Sequence, residues 1–336
     1  MQKTMQTWVS HTAGGPETLV LETHTVPVPA DGELLIKVQA VGVNFPDSLL
    51  IRDLYQVKPP RPLVPGSELC GVVQALGPGV TEFQCGDVVI GRCGWGALSE
   101  YAVLAQQRCI RMPASLPAAE ASAFLFTYAT AYHALVDSGK LQAGQTLLVL
   151  GAAGGVGSAA VQVGSALGAT VLAAASSQIK LEFAQSLGAS HGLVYDPALE
   201  VGEGQKALAA ELKMLAPQGV DVVLDPVGGA YSEPALRTLS RGGRHLVVGF
   251  TAGIPRVPLN LTLLRRSQII GVDWRLFVQE QPEANARNLE ALLDLWQRGL
   301  IHPQVTERYH FEEAPNAIGR LEARDALGKI VIEMPA

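Results

Sequence analysis

The sequence contains little charge, few aromatic residues and few cysteines. Only 17% of its 336 residues are charged and 6% are aromatic, whereas 48% are hydrophobic, so the chain can bury a large core and is not disordered. The formal net charge of -6 provides no basic surface, which argues against nucleic acid as a partner. A chain of this length is expected to form two domains.

The spacing of the cysteines and the length of the apolar segments argue against a structural zinc site and a membrane span. Cys70, Cys85, Cys93 and Cys109 include no Cys-x-x-Cys pair, so their spacing gives no support for a structural zinc site. We interpret all of them as small buried hydrophobic residues in a reducing compartment. No apolar run is long enough to span a membrane, and residues 1–8 lack the apolar core of a signal peptide. We therefore expect no bound metal, no membrane contact and a cytoplasmic location.

The most informative segment is an apolar run that leads into a glycine-rich turn. Thr146–Leu150 has the composition of a strand that is buried on both faces of a parallel sheet. The turn is Gly151-Ala-Ala-Gly-Gly-Val-Gly157, with Ala152 in place of the first glycine of the G-x-G-x-x-G fingerprint, and a helical pattern follows it. Strand, loop and helix in this order predict a dinucleotide site, because the helix N-terminus offers free N–H groups to a pyrophosphate.

The order of the predicted elements indicates the fold class. Short β-prone runs separated by glycine and proline turns occupy residues 1 to about 125 and predict a small barrel-like domain. Strand and helix patterns then alternate to about residue 274, which predicts a doubly wound parallel sheet. The predicted strands of that sheet are Thr146–Leu150, Thr170–Ala174, Gly192–Tyr195, Val220–Asp225, His245–Phe250 and Gln268–Trp274. The elements after Trp274 are expected to return to the first domain, which is then split in sequence.

The end of the second strand indicates which dinucleotide binds. Rossmann units that bind NAD have an acidic residue there for the ribose 2′-hydroxyl. This chain has Ser176-Ser177 and then Lys180, with no acidic residue nearby. Hydroxyl donors and a cation suit the 2′-phosphate of NADPH, which is therefore favoured over NADH. The alternative is that Ser176 or Ser177 only caps the following helix and that Lys180 is a solvated surface residue.

Further motifs lie along nearly the whole chain in a fixed order. They are Gly42-Val-Asn-Phe-Pro-Asp47, Pro65-Gly-Ser-Glu68, Thr130-Ala-Tyr132, Asp221-Val-Val-Leu-Asp225 with Gly228-Gly229, Gly242-Gly-Arg244 and Gly328-Lys329. Together with the glycine-rich loop they resemble the zinc-free quinone oxidoreductase (zeta-crystallin-like) branch of the medium-chain dehydrogenase/reductase superfamily. The resemblance implies an α/β fold in which a Rossmann doubly wound parallel sheet is inserted in a GroES-like β-barrel domain, and usually a homodimer.

The implied domains follow the order of the elements. We expect the first part of the substrate domain over residues 1–125 and the NADP-binding Rossmann domain over residues 126–264. Residues 265–336 are expected to complete the Rossmann sheet and to return to the substrate domain.

Two positions depart from the zinc alcohol dehydrogenases of the same superfamily. This chain has Asn44 where those enzymes have a ligating cysteine, and Gly66-Ser-Glu68 where they have Gly-His-Glu. Without these two zinc ligands, alcohol oxidation loses its Lewis acid. The resemblance implies instead that NADPH delivers hydride to a quinone or another conjugated carbonyl without zinc. The alternatives are a 2-alkenal or enone reductase and a non-catalytic NADPH-binding protein with an RNA-binding or structural role.

The resemblance also implies roles for single residues. Asn44, Tyr55 and Thr130 are expected near the nicotinamide and the substrate, where Asn44 donates to the substrate carbonyl and Tyr55 stacks or donates its hydroxyl. The expected cofactor contacts are Asn44, Thr130, Ala152, Ala153, Gly154, Gly155, Val156, Ser176, Lys180, Tyr195, Phe250 and Lys329. The structural alternatives are a turn cap at Asn44, a packed loop aromatic at Tyr55 and an ordinary strand residue at Tyr195.

Overall fold

The computed structural model describes residues 2–113 and 116–335. The described chain forms two compact units. One, called here the split unit, consists of the residues up to Phe126 and those from Pro303 onward, and the other, the parallel-sheet unit, consists of Thr127–His302. The chain therefore leaves the split unit once and returns to it near its end.

The strands and helices follow the hydrophobic periods of the sequence. The strands are β1 (Thr4–Ser10), β2 (Leu19–Thr25), β3 (Glu33–Val43), β4 (Glu68–Leu76), β5 (Val88–Arg92), β6 (Tyr101–Ala105), β7 (Cys109–Arg111), β8 (Thr146–Leu150), β9 (Thr170–Ala175), β10 (His191–Val194), β11 (Val220–Asp225), β12 (Leu239–Val247), β13 (Gln268–Gly271), β14 (Val305–His310) and β15 (Lys329–Glu333). The helices are α1 (Phe45–Ile51), α2 (Ala118–Ser122), α3 (Leu125–Tyr132), α4 (Gly155–Ala166), α5 (Gln178–Ser186), α6 (Glu203–Leu215), α7 (Ser232–Thr238), α8 (Asn260–Arg265), α9 (Trp274–Glu280), α10 (Pro282–Gln297) and α11 (Ala314–Glu322).

The parallel-sheet unit contains the predicted doubly wound sheet. Its strands lie in the order β10-β9-β8-β11-β12-β13, and every neighbouring pair is parallel. The central strands β8 and β11 are almost wholly buried, as their continuous apolar sequence requires. The carboxyl ends of these strands therefore share one edge of the sheet, where ligands of open parallel sheets bind.

The predicted ends of the strands Thr170–Ala174 and Gly192–Tyr195 are wrong by at most one residue, since these strands run over Thr170–Ala175 and His191–Val194. Two other strand predictions in this unit have larger errors at their ends. The predicted strand His245–Phe250 runs instead from Leu239 to Val247, because the polar, glycine-rich start of β12 hides its pairing with β11 from a hydropathy pattern. The strand predicted over Gln268–Trp274 ends at Gly271. It stops there because the Asp273 side chain accepts a hydrogen bond from the Leu276 N–H and caps α9.

The split unit is organised around β3. Its larger sheet has the order β14-β15-β3-β4-β5-β7, β6 pairs with β3, and β1 and β2 form a separate hairpin. This is the GroES-like arrangement, although the described strands make no hydrogen-bonded closure between β14 and β7. The last strand, β15, pairs antiparallel with β3, with Ile330 opposite Val43. This pairing brings the end of the chain beside Asn44, the residue that follows β3.

The cysteines are free, and burial raises the pKa of Cys70 and of Cys109 to about 12. The prediction that all the cysteines are buried is wrong for Cys85, which is exposed in the turn before β5. Among the residues that the structure describes, no helix is both long and apolar enough to cross a membrane.

Candidate functional site

The glycine-rich loop connects β8 to α4 at the carboxyl edge of the parallel sheet. Gly154 caps α4 without a side chain, so the capping residue offers no side-chain acceptor to the first N–H groups of the helix. A Cβ on Gly154 would meet only the Gly151 carbonyl oxygen, at 3.5 Å, whereas a Cβ on Gly157 would lie 2.1 Å from that oxygen. The loop is thus closely packed at Gly157 and open at Gly154, which fits the approach of a pyrophosphate.

Ala152 and Ala153 lie beneath this open face. Their side chains are buried, and the Ala152 N–H donates to the carbonyl of Ala174 on β9. These alanines hold the loop against the sheet, while Gly155 and Val156 form the first turn of α4.

At the end of β9, one serine caps the following helix and the other contacts the Lys180 side chain. Ser177 caps α5, because its Oγ accepts the Lys180 N–H at 3.4 Å. The Lys180 Nζ instead donates to the Ser176 Oγ at 3.0 Å. A hydroxyl and an ammonium therefore meet at the end of the second strand, next to a helix N-terminus. This donor set suits a phosphate dianion.

Tyr195 follows β10 directly and is buried. Its ring packs on that of Tyr231, with 4.7 Å between the centroids, and burial raises the pKa of its phenol, so the hydroxyl is neutral. Phe250 lies beyond the end of β12 with 47% of its surface exposed. It contacts Gly228, where φ is +73° and a Cβ would lie 2.5 Å from the Gly253 carbonyl oxygen, so this close approach requires glycine.

Asp225, at the end of β11, organises the loop that contains Gly228. Its Oδ1 accepts the N–H groups of Val227 and Gly228 at 2.9 and 2.8 Å. Its Oδ2 accepts the Ser232 hydroxyl at 2.5 Å and the His245 Nε2–H at 3.0 Å. Burial opposes ionisation of Asp225, but the hydrogen bonds from His245, Ser232 and the Gly228 N–H outweigh it and hold the pKa of the carboxyl below its ordinary value. These hydrogen bonds show how Asp225 fixes the shape of this loop.

A second polar group lies in the split unit. We call it the Asn44 cluster; it consists of Asn44, Asp47, Ser67, Glu68 and Lys329, all at most 4% exposed. The Asn44 Nδ2 has three acceptors, the Gly42 carbonyl and the Ser67 Oγ at 3.1 Å each and the Glu68 Oε1 at 2.9 Å. An amide nitrogen carries two hydrogens. A bond from Asn44 to a substrate carbonyl would therefore have to replace one of these internal bonds.

Asp47 is the member of the cluster whose ionisation is disfavoured. Its Oδ2 accepts the Asn44 N–H at 2.7 Å, whereas its buried Oδ1 has no hydrogen-bond partner in the described structure. Burial raises the pKa of Asp47 from 3.8 to about 7; the Asn44 N–H, Lys329 and Ser67 lower it, and Glu68 raises it further. The cluster therefore contains a carboxyl group that takes up or releases a proton near neutral pH.

This raised pKa predicts how stability depends on pH. Between pH 3.8 and about 7 the folded protein keeps the Asp47 proton while the unfolded chain has lost it. The free energy of unfolding therefore falls as pH rises through this window, by up to about 1.4 kcal/mol per pH unit from this group. Asp47→Asn should remove that slope in urea unfolding at pH 5, 6 and 7, whereas Asp31→Asn, at an exposed residue, should keep it. Parallel curves for wild type and Asp47→Asn would contradict the assignment.

Tyr55 and Thr130 lie in different units. Tyr55 is half-buried in the bend that follows α1, in the split unit, and Thr130 is buried on α3, in the parallel-sheet unit. Their expected roles beside the nicotinamide stay predictions. Glu68, Ser67 and Asp47 were quoted in sequence motifs but given no role. Asp47 meets Asn44 in the first turn of α1, whereas the pairing of β3 with β4 brings Ser67 and Glu68 to Asn44.

The Asn44 cluster does not suit a zinc ion. Zinc is bound by cysteine, histidine and carboxylate side chains, whereas here an amide and a hydroxyl occupy the positions of two ligands. The Lys329 ammonium lies 2.6 Å from the Asn44 Oδ1, where it would repel a metal cation. In the described ranges, no three His, Cys, Asp or Glu side chains are grouped so that they could hold a metal ion.

Comparisons with known proteins agree with this architecture. The family described as alcohol dehydrogenase GroES-like domain matches residues 30–114, and the family described as zinc-binding dehydrogenase matches residues 155–291. Quinone oxidoreductase-like protein 2 of Rattus norvegicus is 33% identical over 304 residues, which cover 90% of this chain and 85% of that protein. The chain belongs to the zinc-free quinone oxidoreductase branch of the medium-chain dehydrogenases/reductases.

Other members of this oxidoreductase superfamily extend the likeness over the full fold. Quinone oxidoreductase of Homo sapiens is 31% identical over 322 residues, covering 95% of this chain and 94% of that protein. The structure of Escherichia coli quinone oxidoreductase complexed with NADPH superposes with a TM-score of 0.88 at 26% identity, covering 98% of this chain and 99% of that one. The similarity to these quinone oxidoreductases therefore extends over both units of the chain.

Proposed function

We propose that this member of the quinone oxidoreductase branch is an NADPH-dependent reductase of quinones or other conjugated carbonyls that works without zinc. The observation that carries the proposal is the contact between Lys180 and Ser176 at the end of β9, together with the N-terminus of α4, whose cap Gly154 has no side chain. The complex of the Escherichia coli relative with NADPH supports the same cofactor. When bound, NADPH supplies a hydride.

The residues of the parallel-sheet unit are proposed to hold the cofactor by its phosphates. The N–H groups of Gly155 and Val156 receive the pyrophosphate, over the loop that Ala152, Ala153 and Gly154 form. The Ser176 hydroxyl and the Lys180 ammonium donate to the 2′-phosphate, for which a carboxylate would be repulsive. Tyr195 closes the adjacent edge, and the exposed ring of Phe250 provides an apolar surface for the cofactor.

The absence of suitable zinc ligands favours conjugated acceptors. In the zinc enzymes a Lewis acid stabilises the alkoxide from which hydride leaves, whereas quinones and enones accept hydride into a delocalised system. Asn44 and Tyr55, in the split unit, are proposed to orient the acceptor, with Tyr55 stacking on its ring or donating a hydroxyl hydrogen. Thr130, in the parallel-sheet unit, is proposed as a cofactor contact. The second proton is proposed to come from solvent.

The substrate class and the role of zinc are tested together. Protein dialysed against a chelator is analysed for metal and assayed with NADPH on quinones and 2-alkenals at matched concentrations. We expect full activity without zinc and higher rates on quinones. Activity that falls on metal removal and returns with zinc would contradict zinc independence, and higher rates on 2-alkenals would make the protein an enone reductase.

We also propose that the protein forms a homodimer through the free edge of its parallel sheet. Strand β13 lies at the end of the sheet order, and Ile269 on it is 39% exposed. Leu263 and Leu264, on the preceding helix α8, are 79% and 69% exposed. An apolar edge of this kind is covered in most native proteins. When two copies of the chain pair along β13, each copy covers the edge of the other.

The dimer has a direct test in solution. Light scattering after gel filtration should give twice the 35.5 kDa chain mass for the wild type. Ile269→Asp combined with Leu263→Asp should give the single-chain mass, because two buried carboxylates would face each other across the two-fold axis. Met214→Asp, at a site on α6 that is 73% exposed, should leave the dimer intact. A monomeric wild type would contradict the proposal.

A further inference from the structure

Lys329 has no hydrogen left for a ligand. It is the first residue of β15 and is 4% exposed. Its Nζ donates to the Val43 carbonyl at 2.9 Å, to the Asn44 Oδ1 at 2.6 Å and to the Glu68 Oε1 at 2.9 Å. An ammonium group has three hydrogens and no lone pair, so these bonds saturate it. The cofactor contact expected for Lys329 would therefore have to break one of them, and any effect of Lys329 on the reaction passes through its partners.

The main partner is the carboxamide of Asn44. Its Oδ1 faces Lys329, which can only donate, and its Nδ2 faces the Glu68 carboxylate, which can only accept. A flipped carboxamide would place an oxygen against a carboxylate and an NH₂ against an ammonium. The two opposite charges thus allow a single orientation of Asn44.

The backbone provides the close approach that this arrangement needs. A Cβ on Gly42 would lie 2.6 Å from the Glu68 Oε1 and 2.2 Å from the Ser122 carbonyl oxygen, so only glycine lets Glu68 reach Asn44. The other Glu68 oxygen accepts the Phe126 N–H at 2.8 Å. Both oxygens of Glu68 are bound, so the carboxylate itself is held rigidly.

The cluster also fixes the start of α1. Lys329 binds the carbonyl of Val43 and Asp47 binds the N–H of Asn44, the two residues that precede the helix. At the other end of α1, Arg52 makes two bonds of 2.9 Å to the carboxylate of Glu322. The helix that leads to Tyr55 is therefore anchored at both ends, and Lys329 contributes to its first anchor.

We propose that the ion pair between Lys329 and Glu68 positions Asn44 for the reaction, in place of the metal that a zinc enzyme binds there. This inference rests on the proposed reductase function. Lys329 and Glu68 are positioning residues, because Lys329 has no free donor and the hydrogen bonds of Glu68 run to Asn44, Lys329 and the Phe126 N–H. The proposal predicts that breaking the pair lowers turnover while leaving the phosphate-binding residues of the parallel-sheet unit unchanged.

The test compares Lys329→Met with the double variant Lys329→Met, Glu68→Gln. The single variant leaves a buried carboxylate without its cation and should melt at a lower temperature, whereas the double variant removes both charges and should recover most of the melting temperature. Both should lower kcat about 100-fold, since small misplacements of reacting groups cost about that much. The Kd of NADPH, measured by fluorescence titration, should stay within about threefold of wild type for both.

A spectroscopic readout keeps the test independent of activity. The chain has five asparagines, so the side-chain amide signal of Asn44 can be assigned by its loss in Asn44→Ala. In the wild type this signal should be sharp and exchange slowly with solvent, and both Lys329 variants should shift it and speed its exchange. Lys213→Met, at an exposed residue on α6, should change neither signal nor kcat.

The outcomes separate the positioning role from the proposed function. A folded double variant with wild-type kcat and an unchanged Asn44 signal would overturn the positioning role. Loss of NADPH affinity together with kcat would also overturn it, because Lys329 would then act on cofactor binding. A wild type without turnover would refute the reductase function instead, and the Asn44 signal would still decide whether the ion pair orients the carboxamide.

Discussion

Replacing Ser176 by aspartate and Lys180 by alanine should reverse the cofactor preference. The double variant is expected to lower kcat/KM for NADPH by about 10³-fold, because two charge-assisted hydrogen bonds to the 2′-phosphate are lost, worth about 4 kcal/mol together. The new carboxylate also repels that phosphate. For NADH, kcat/KM should rise, because the carboxylate can accept a hydrogen bond from the ribose 2′-hydroxyl.

The measurement is steady-state kinetics with both cofactors and one quinone. Lys206→Ala is the matched control, because Lys206 is an exposed lysine on α6 whose Nζ bonds to the exposed Glu203. It should leave both kcat/KM values unchanged. An unaltered NADPH preference in the double variant would mean that Lys180 and Ser176 are surface residues, as the sequence alone allowed.

Replacing Asp225 by alanine should cause the largest loss of stability. Without this carboxylate, the His245 ring, the Ser232 hydroxyl and two backbone N–H groups are left buried without an acceptor. We expect the free energy of unfolding to fall by about 3–5 kcal/mol. Asp225→Asn should lose less, because its remaining oxygen can still accept from the backbone of the Pro226–Gly228 loop.

Urea unfolding at several pH values checks this prediction and its sign. Because the folded pKa of Asp225 lies below its ordinary value of 3.8, its stabilising effect is present above pH 3.8 and is lost as pH falls through the folded pKa. The difference between wild type and Asp225→Ala should therefore shrink only in acid. Asp294→Ala, at an exposed position on α10, should unfold like the wild type. If Asp225→Ala unfolded at the same urea concentration as the wild type, the role of this carboxylate would be contradicted.

The parallel-sheet unit was predictable because its signals are local. Strands Thr146–Leu150 and Val220–Asp225 are confirmed at both ends, since a continuous apolar run between turns is the direct consequence of burial on two faces. The end of β12 was misplaced because Gly249 and Phe250 continue the apolar run after the pairing has stopped. A hydropathy pattern records burial and not hydrogen bonding.

The Asn44 cluster was not predictable from the sequence as a set of contacts. Lys329 and Glu68 are 261 positions apart, and the pairing of β3 with both β15 and β4 brings them together. The motifs around each residue were visible, but their partners were not. The exposed Cys85 is a similar case, since nothing in a single cysteine distinguishes a turn position from a core position.

The proposed reductase function requires NADPH to reduce a conjugated acceptor on this protein. It is tested by anaerobic oxidation of NADPH by the purified protein in the presence of a quinone, with NADH assayed in parallel and the reduced quinone quantified. This function predicts one quinone reduced per NADPH consumed and a much slower reaction with NADH. Tight binding of NADPH without turnover on any quinone or 2-alkenal would contradict it.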